Sequence, residues 1–134
     1  MTYLLDTHVW VWLVEASHAF PPPVERVLKD ILNAPLGISA ITPWEVAKKA
    51  SLGRLHLSMQ TQEWILQATS NRGISVVPLT PDIAYDANHL PGAFHKDPAD
   101  QIIVATARTH GLVLVTGDDK ILQYHHVKTL RAKR

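Results

Sequence analysis

Two apolar segments near opposite ends of the chain each end on an acidic residue. Residues 3–6 read Tyr-Leu-Leu-Asp, and residues 112–119 read Leu-Val-Leu-Val-Thr-Gly-Asp-Asp. Short apolar runs of this kind are typical of strands buried in a parallel sheet. Because open α/β folds bind their ligands at the carboxyl edge of the sheet, Asp6 and Asp118 would meet there. Crowded carboxylates favour a bound cation, so the pattern points to metal-dependent chemistry.

Two further acids, Glu45 and Asp100, occupy similar positions at predicted helix starts. Each of the four acids also has a local explanation, since helix N-termini favour carboxylates. Thr42-x-x-Glu45 has the form of a capping box, and Asp97-Pro98-Ala99-Asp100 reads as a cap, a first-position proline and a third-position acid. Both interpretations stay open for each residue taken alone, whereas the joint pattern favours a metal site.

The chemistry that such a cluster could perform follows from its ligand type. Oxygen ligands select hard cations, so we expect Mg²⁺ or Mn²⁺. Because Mg²⁺ completes its coordination with phosphate oxygens, phosphodiester hydrolysis is the natural reaction. His95, beside Lys96-Asp97, is the histidine that we expect nearest the site. Four basic residues that follow the acid-bearing turns are candidate phosphate contacts, although an exposed helix face explains them about as well: Lys48, Lys49, Arg54 and Lys120.

Alternating strands and helices would position these residues. We predict strands at about residues 2–6, 36–41, 74–77 and 112–116, with an edge strand at 126–128. The helices are predicted at about residues 7–14, after the prolines at 21–23, and then at 42–53, 60–72, 80–88, 98–110 and from 118 onward. The pattern predicts a parallel sheet with helices on both faces.

The composition describes an ordinary globular chain. At 134 residues it is expected to be one domain, residues 1–134. The absence of cysteine excludes a thiolate site and fits a reducing cytoplasm, and we expect neither a signal peptide nor a membrane span. The net charge of +1 says little about nucleic acid. A basic C-terminus is either a frayed tail or a binding arm, and it contains Lys128, Arg131, Lys133 and Arg134.

The chain resembles the PIN-domain ribonucleases, in particular the VapC-like toxins of type II toxin–antitoxin modules. Leu4-Leu5-Asp6-Thr7-His8 looks like the first acid block of that family, and Ser39 through Glu45 with Lys49…Leu52-Gly53 looks like the second. Leu90-Pro91…His95-Lys96-Asp97-Pro98-Ala99-Asp100 is similar to the third, and Leu114-Val115-Thr116-Gly117-Asp118 through Tyr124 is similar to the fourth. The four blocks occur in the family's order and spacing.

The resemblance implies a three-layer α/β/α sandwich around a mainly parallel sheet of four to five strands. It implies that Asp6, Asp100 and Asp118 bind the metal directly or through water, and that Glu45 completes a catalytic quartet. Thr116 would be a supporting polar group behind these ligands. Asp97 and Asp119 are neighbours with a secondary role, since each of them could simply cap its helix.

Two departures from the subgroup fall beside the third acid. Ala99 and Gln101 stand where Phe and Arg are usual, which puts substrate handling in doubt without removing a metal ligand. The resemblance further implies an RNA substrate, a homodimer and a cognate antitoxin whose tail crosses the acidic groove.

Two alternatives stay open at this point. A phosphoacceptor domain of the receiver type would share the length, the α/β alternation and the Mg²⁺-binding acids. Against it, strand one carries the lone Asp6 rather than an acidic pair. The other alternative is a catalytically silent PIN domain that binds RNA or protein.

Overall fold

A five-stranded sheet forms the centre of the computed structural model, which describes residues 1–134. The strands follow the order β3-β2-β1-β4-β5, and every neighbouring pair is parallel. All five carboxyl ends therefore lie at one edge of the sheet. The strands are β1 (Tyr3–Leu5), β2 (Leu36–Ser39), β3 (Ile74–Val77), β4 (Val113–Thr116) and β5 (Thr129–Arg131).

Seven helices connect and cover the strands. Their starts often carry local signals: Pro81 and Pro98 each lie in a first turn, behind caps supplied by Thr80 and Asp97. Gly111 ends the longest helix in a left-handed conformation (φ 64°), which favours glycine. The helices are α1 (Thr7–Glu15), α2 (Pro22–Lys29), α3 (Ile41–Ser51), α4 (Thr61–Thr69), α5 (Pro81–Ala87), α6 (Pro98–His110) and α7 (Asp119–Leu122). None of the helices has the length and apolar character needed to cross a membrane.

The sheet separates two apolar cores, because successive strand residues point to opposite faces. Leu5 of β1 packs with residues of α1 to α4, including Trp10 and Trp64, whose rings meet edge to face at 4.9 Å. Leu4 packs instead with α6 and α7, whose buried residues include Ile103. This arrangement confirms the predicted three-layer α/β/α sandwich.

Two local predictions are wrong, and one of the two alternatives for the basic C-terminus is excluded. The capping box at Thr42 does not form, because α3 begins at Ile41 and no side chain caps it. The edge strand is not at residues 126–128 but at Thr129–Arg131, where it pairs with β4. The basic C-terminus is consequently not a frayed tail: Arg131 lies within β5, and its Nη1 is 3.6 Å from Oδ1 of Asp119.

Candidate active site

Asp6 is held rigidly at the end of the central strand β1. Its side chain is only 3% exposed, and its Oδ1 accepts a hydrogen bond of 2.8 Å from the backbone N–H of Thr7, so it caps α1. Its Oδ2 accepts the hydroxyl hydrogen of Thr116 at 2.7 Å. A carboxylate oxygen has two lone-pair directions, so both oxygens keep acceptor capacity for a ligand. Capping and site formation are therefore compatible in this residue.

Thr116 connects Asp6 to the acid at the end of the neighbouring strand. The backbone N–H of Asp118 donates to Oγ1 of Thr116 at 3.0 Å, while Thr116 donates to Asp6. Asp118 in turn caps α7, because its Oδ1 accepts from the N–H of Lys120 at 2.8 Å. The hydroxyl of Thr116, which is fully buried, thus fixes the relative position of two acids that are far apart in sequence.

Glu45 enters the same region from α3. It is 8% exposed, and its Oε1 accepts the hydroxyl hydrogen of Thr7, the residue next to Asp6. Its Oε2 lies 3.3 Å from Nζ of Lys49, one turn further along α3. The side chain therefore faces the site rather than the helix N-terminus.

Asp100 is the acid whose protonation the structure perturbs most. The predicted cap at Asp97 is confirmed, since its Oδ1 accepts from the N–H of Asp100 at 3.1 Å. Burial, followed by the negative charges of Asp6, Asp97, Glu45 and Asp118, raises the pKa of Asp100 to about 8. Such a carboxyl group stays largely protonated at neutral pH unless a cation offsets the surrounding negative charge.

These acids border one polar cavity of about 420 Å³ at the carboxyl edge of the sheet. Its lining contains no hydrophobic side chain, and five of its ten residues are carboxylates. The cavity is lined by Asp6, Thr7, His8, Glu45, Lys49, His95, Asp97, Asp100, Asp118 and Lys120.

Two overlapping groups in this cavity have the spacing of metal ligands. Ligand atoms of Glu45, Asp97 and Asp100 lie within 4.8 Å of one another, and so do those of His95, Asp100 and Asp118. Asp100 belongs to both groups. Asp6 belongs to neither, although it lines the same cavity. Most of these donors are carboxylates, and the pKa of Asp100, which both groups share, is raised to about 8. Such a donor set fits a hard divalent cation.

Two histidines belong to the site, although the sequence pattern indicated only the second of them. Nε2 of His8 accepts the N–H of Gly117 at 2.8 Å, so the proton of the neutral ring is on Nδ1, which lies 3.5 Å from Oδ2 of Asp6. Burial lowers the pKa of His8 and favours this neutral form. The only sequence signal for His8 is its position two residues after Asp6, the acid that follows β1.

His95 lies near the acids, as its sequence position predicted. Its Nε2 is 3.1 Å from Oδ2 of Asp100, but the pair lacks the alignment of a hydrogen bond and Nε2 has no other partner. The amide of Gln101 donates to the backbone carbonyl of His95 at 3.1 Å. Gln101, one of the two departures from the family pattern, thus holds the loop that carries this histidine.

The structure does not bring every candidate residue into the cavity. Asp119 points away from it, toward Nζ of Lys133 at 3.2 Å and the guanidinium of Arg131. Lys48 and Arg54 are exposed and do not line the cavity, whereas Lys49 and Lys120 do.

Fold and site together define an α/β domain with an acidic cavity just beyond its three central strands, β2, β1 and β4. The chain belongs to the PIN domain family, whose model matches residues 3–127. This match confirms the family resemblance seen in the sequence.

Known proteins similar to this chain include a ribonuclease and chains of VapBC structures. Ribonuclease VapC22 of Mycobacterium tuberculosis is 32% identical over 125 residues, which cover 93% of each chain. Among solved structures, VapBC2 from Rickettsia felis, bound to a DNA fragment from its promoter, contains a chain that superposes with a TM-score of 0.72 at 17% identity, covering 99% of this chain and 100% of that one. VapBC-1 from nontypeable Haemophilus influenzae gives a TM-score of 0.71 at 20% identity and 98% coverage of both chains. At these identities the structures establish the shared fold.

Proposed function

We propose that this protein is a Mg²⁺- or Mn²⁺-dependent endoribonuclease that hydrolyses RNA phosphodiester bonds as the toxin of a type II toxin–antitoxin pair. One observation carries the proposal: four acids line a single cavity that has no hydrophobic lining residue, namely Asp6, Glu45, Asp100 and Asp118. The 32% identity to a protein named as a ribonuclease supports RNA as the substrate. We further propose that residues 1–134 form one PIN domain that acts in the cytoplasm.

In this mechanism Asp6, Asp100 and Asp118 would hold the cation directly or through water, and Glu45 would complete the quartet. When bound, the cation supplies an activated water and charge compensation at the scissile phosphate. The buried hydroxyl of Thr116 keeps Asp6 in position, because its hydrogen bond of 2.7 Å fixes Oδ2. Nδ1 of His8 lies 3.5 Å from the same oxygen, beyond the usual hydrogen-bond range, and so leaves that oxygen able to accept a further ligand.

The basic side chains of the cavity have the position to contact RNA phosphates. Nζ of Lys49 lies beside Glu45, and Lys120, two residues after Asp118, lines the same cavity. Ammonium groups at the rim of an acidic site attract the phosphate backbone and orient the bond to be cut. Lys48 and Arg54, which lie outside the cavity, are at most peripheral contacts.

The strand order argues against the receiver-type alternative. The two strands beside β1 are β2 and β4, and β4 leads to Asp118, whereas β3 lies at the edge of the sheet. Val77 at the end of β3 is followed by Pro78 and Leu79, so that strand supplies no acid to accept a phosphoryl group.

Site substitutions test the nuclease against the catalytically silent alternative. Asp6→Asn and Asp100→Asn should each abolish Mg²⁺- or Mn²⁺-dependent cleavage of a mixed RNA substrate without unfolding the protein, as judged by circular dichroism. Asp119→Asn is the matched control, because Asp119 pairs with Arg131 and Lys133 outside the cavity. Cleavage that survives in both site variants, or that wild-type protein never shows with either metal, would reject the proposed enzyme.

A protein partner and self-association complete the proposal. Similar solved structures include toxin–antitoxin complexes, which supports a cognate antitoxin for this chain. A cationic side chain of that partner could neutralise the acid cluster in place of the metal. Light scattering of the isolated chain tests the proposed homodimer, and co-purification with the product of a neighbouring small reading frame tests the antitoxin.

A further inference from the structure

A second cavity, of about 460 Å³, lies directly beside the acidic one. The two cavities share His95 and Lys120 as lining residues. Their chemistry differs, because the second cavity contains no carboxylate. It is lined by Gly92, Ala93, Phe94, His95, Lys120, Gln123, Tyr124, His125 and His126. A polyanionic ligand that extended from the acidic cavity into this one would therefore move away from carboxylates and toward neutral and basic groups.

Aromatic rings form a continuous row along this second cavity. The ring of Phe94 lies 4.5 Å from that of His95 and 4.8 Å from that of Tyr124, and Tyr124 lies 5.4 Å from His126. The row begins at His95, next to Asp100, and leads away from the acid cluster. Aromatic and imidazole faces of this kind stack with the unpaired bases of single-stranded RNA.

Hydrogen bonds anchor both walls of the cavity to the fold. The hydroxyl of Tyr124 donates to the carbonyl of Pro91 at 2.6 Å, which ties the loop before α6 to the segment after α7. On the far wall Arg108 donates to the carbonyl of His126 at 2.7 Å and is itself paired with Asp86 at 3.0 Å. The ring of Tyr124 and the backbone of His126 are thus held in place before any ligand binds, which lowers the entropy cost of binding.

Gly92 sets the turn that opens the cavity. Its φ of 68° lies in the left-handed region, where a side chain is strained. A Cβ at this position would also lie 3.6 Å from Nε2 of His126. That distance is ordinary van der Waals contact, so glycine is favoured here by its φ rather than by lack of space.

We propose that this cavity, which we call the aromatic pocket, binds the nucleotide next to the scissile phosphate of a single-stranded RNA. The base would stack against the row of Phe94 and His126, and its phosphate would lie near Lys120 at the junction with the acidic cavity. The donors of Gln123 and His125 at the rim would contact the edge of the base. This inference rests on the proposed ribonuclease function and adds to it a binding site for one nucleotide of the RNA substrate.

Binding of a short RNA to the folded protein tests the aromatic pocket without relying on cleavage. Fluorescence anisotropy with a labelled oligoribonucleotide in Ca²⁺ is compared for wild type, His126→Ala and Phe94→Leu. Removing one stacking partner should weaken binding by roughly tenfold. His126→Ala keeps the backbone carbonyl that Arg108 binds, and Phe94→Leu keeps apolar volume. His110→Ala, an exposed histidine outside both cavities, is the matched control and should bind as wild type does.

Histidine NMR spectra distinguish the possible outcomes. Titration with the same RNA should shift the ring signals of His95 and His126 and leave those of His56 and His110 in place. If wild type cuts and binds RNA while both pocket variants match it and His126 does not respond, the aromatic pocket is rejected and the nuclease stands. If wild type neither binds nor cuts RNA, both proposals fail. A shift of His126 with antitoxin but not with RNA would assign the surface to a protein and overturn the inference.

Discussion

The hydroxyl of Thr116 donates to Oδ2 of Asp6 over 2.7 Å. Oγ1 of Thr116 also accepts the backbone N–H of Asp118 at 3.0 Å, so this one buried hydroxyl connects the ends of β1 and β4. The hydroxyl is not needed to bring the two strand ends to the same edge of the sheet, because β1 and β4 are parallel neighbours. The hydroxyl fixes how the carboxylate of Asp6 is rotated, and with it the geometry of the acidic cavity.

Replacing Thr116 with valine should disturb the site while nearly keeping its shape. Thr116→Val leaves Oδ2 of Asp6 and the N–H of Asp118 without their shared partner. Groups that support metal ligands are typically worth about 10–100-fold in metal affinity or activity. We expect a loss of that size in Mn²⁺ affinity by calorimetry, and a decrease in the free energy of unfolding of about 1–3 kcal/mol in urea titrations.

Thr106→Val provides the matched control for this prediction. Thr106 is equally buried, but its hydroxyl donates only to the carbonyl of Ile102 within α6. Metal affinity should be unchanged in this variant. An equal loss of metal affinity in Thr106→Val, or none in Thr116→Val, would contradict the role that we assign to Thr116.

Metal-free protein should become less stable as the pH rises, because of Asp100. Its pKa is raised to about 8 by burial and by neighbouring carboxylates, from an ordinary value of 3.8. Between these two pH values the unfolded chain has released a proton that the folded chain retains. The free energy of unfolding therefore falls through this window and is lowest above pH 8. In EDTA, the melting temperature should be lower at pH 8.5 than at pH 5.5.

Asp100→Asn should remove most of this pH dependence. At pH 8.5 the metal-free variant should melt about 3 °C or more above wild type, since it no longer holds an ionised carboxylate among other acids. Asp119→Asn should not show this gain, because Asp119 has cationic partners. Differential scanning calorimetry at both pH values checks the result. A wild-type melting temperature that rises from pH 5.5 to pH 8.5 in EDTA would show that Asp100 ionises normally.

Most of the fold and the position of the four acids could be predicted from sequence. The α6 boundaries at Pro98 and His110 followed from a cap, a proline and a terminal glycine, and the ends of β1 and β4 followed from apolar runs. Such signals lie within a few residues of the feature they determine. Asp6, Asp100 and Asp118 could be identified for the same reason, because each lies within two residues of an element boundary that has a strong local pattern.

The remaining features depend on contacts between distant residues. Thr42-x-x-Glu45 has the local form of a capping box, yet Glu45 turns toward Thr7 because the buried site offers it a hydroxyl donor. The position of β5 depends on its pairing with β4. The ion pair of Asp119 in turn depends on β5, because that strand contains Arg131. His8 is placed in the site by the N–H of Gly117, which lies more than a hundred positions away in the sequence, so no local pattern predicts it.

The histidine beside Asp100 should influence which metal binds. Nε2 of His95 is unpartnered and within ligand distance of Asp100 and Asp118. Nitrogen donors favour Mn²⁺ and later transition metals over Mg²⁺, whereas carboxylates alone serve both ions. His95→Ala should therefore weaken Mn²⁺ binding by about tenfold and change Mg²⁺ binding little, as measured by calorimetry. His56→Ala, outside the cavity, should change neither. Equal losses for both ions would show that His95 acts only by holding Asp100.

The two neighbouring lysines of α3 should contribute unequally to RNA binding. Lys49 lines the acidic cavity, with Nζ 3.3 Å from Glu45, whereas Lys48 is exposed and lies outside it. A lysine that contacts a phosphate lowers the salt slope of binding by about one when it is removed. Lys49→Ala should therefore weaken binding of RNA in Ca²⁺ and flatten the dependence of log affinity on log salt. Lys48→Ala removes the same charge one residue away, so equal effects of the two substitutions would indicate a general charge effect rather than a contact at the site.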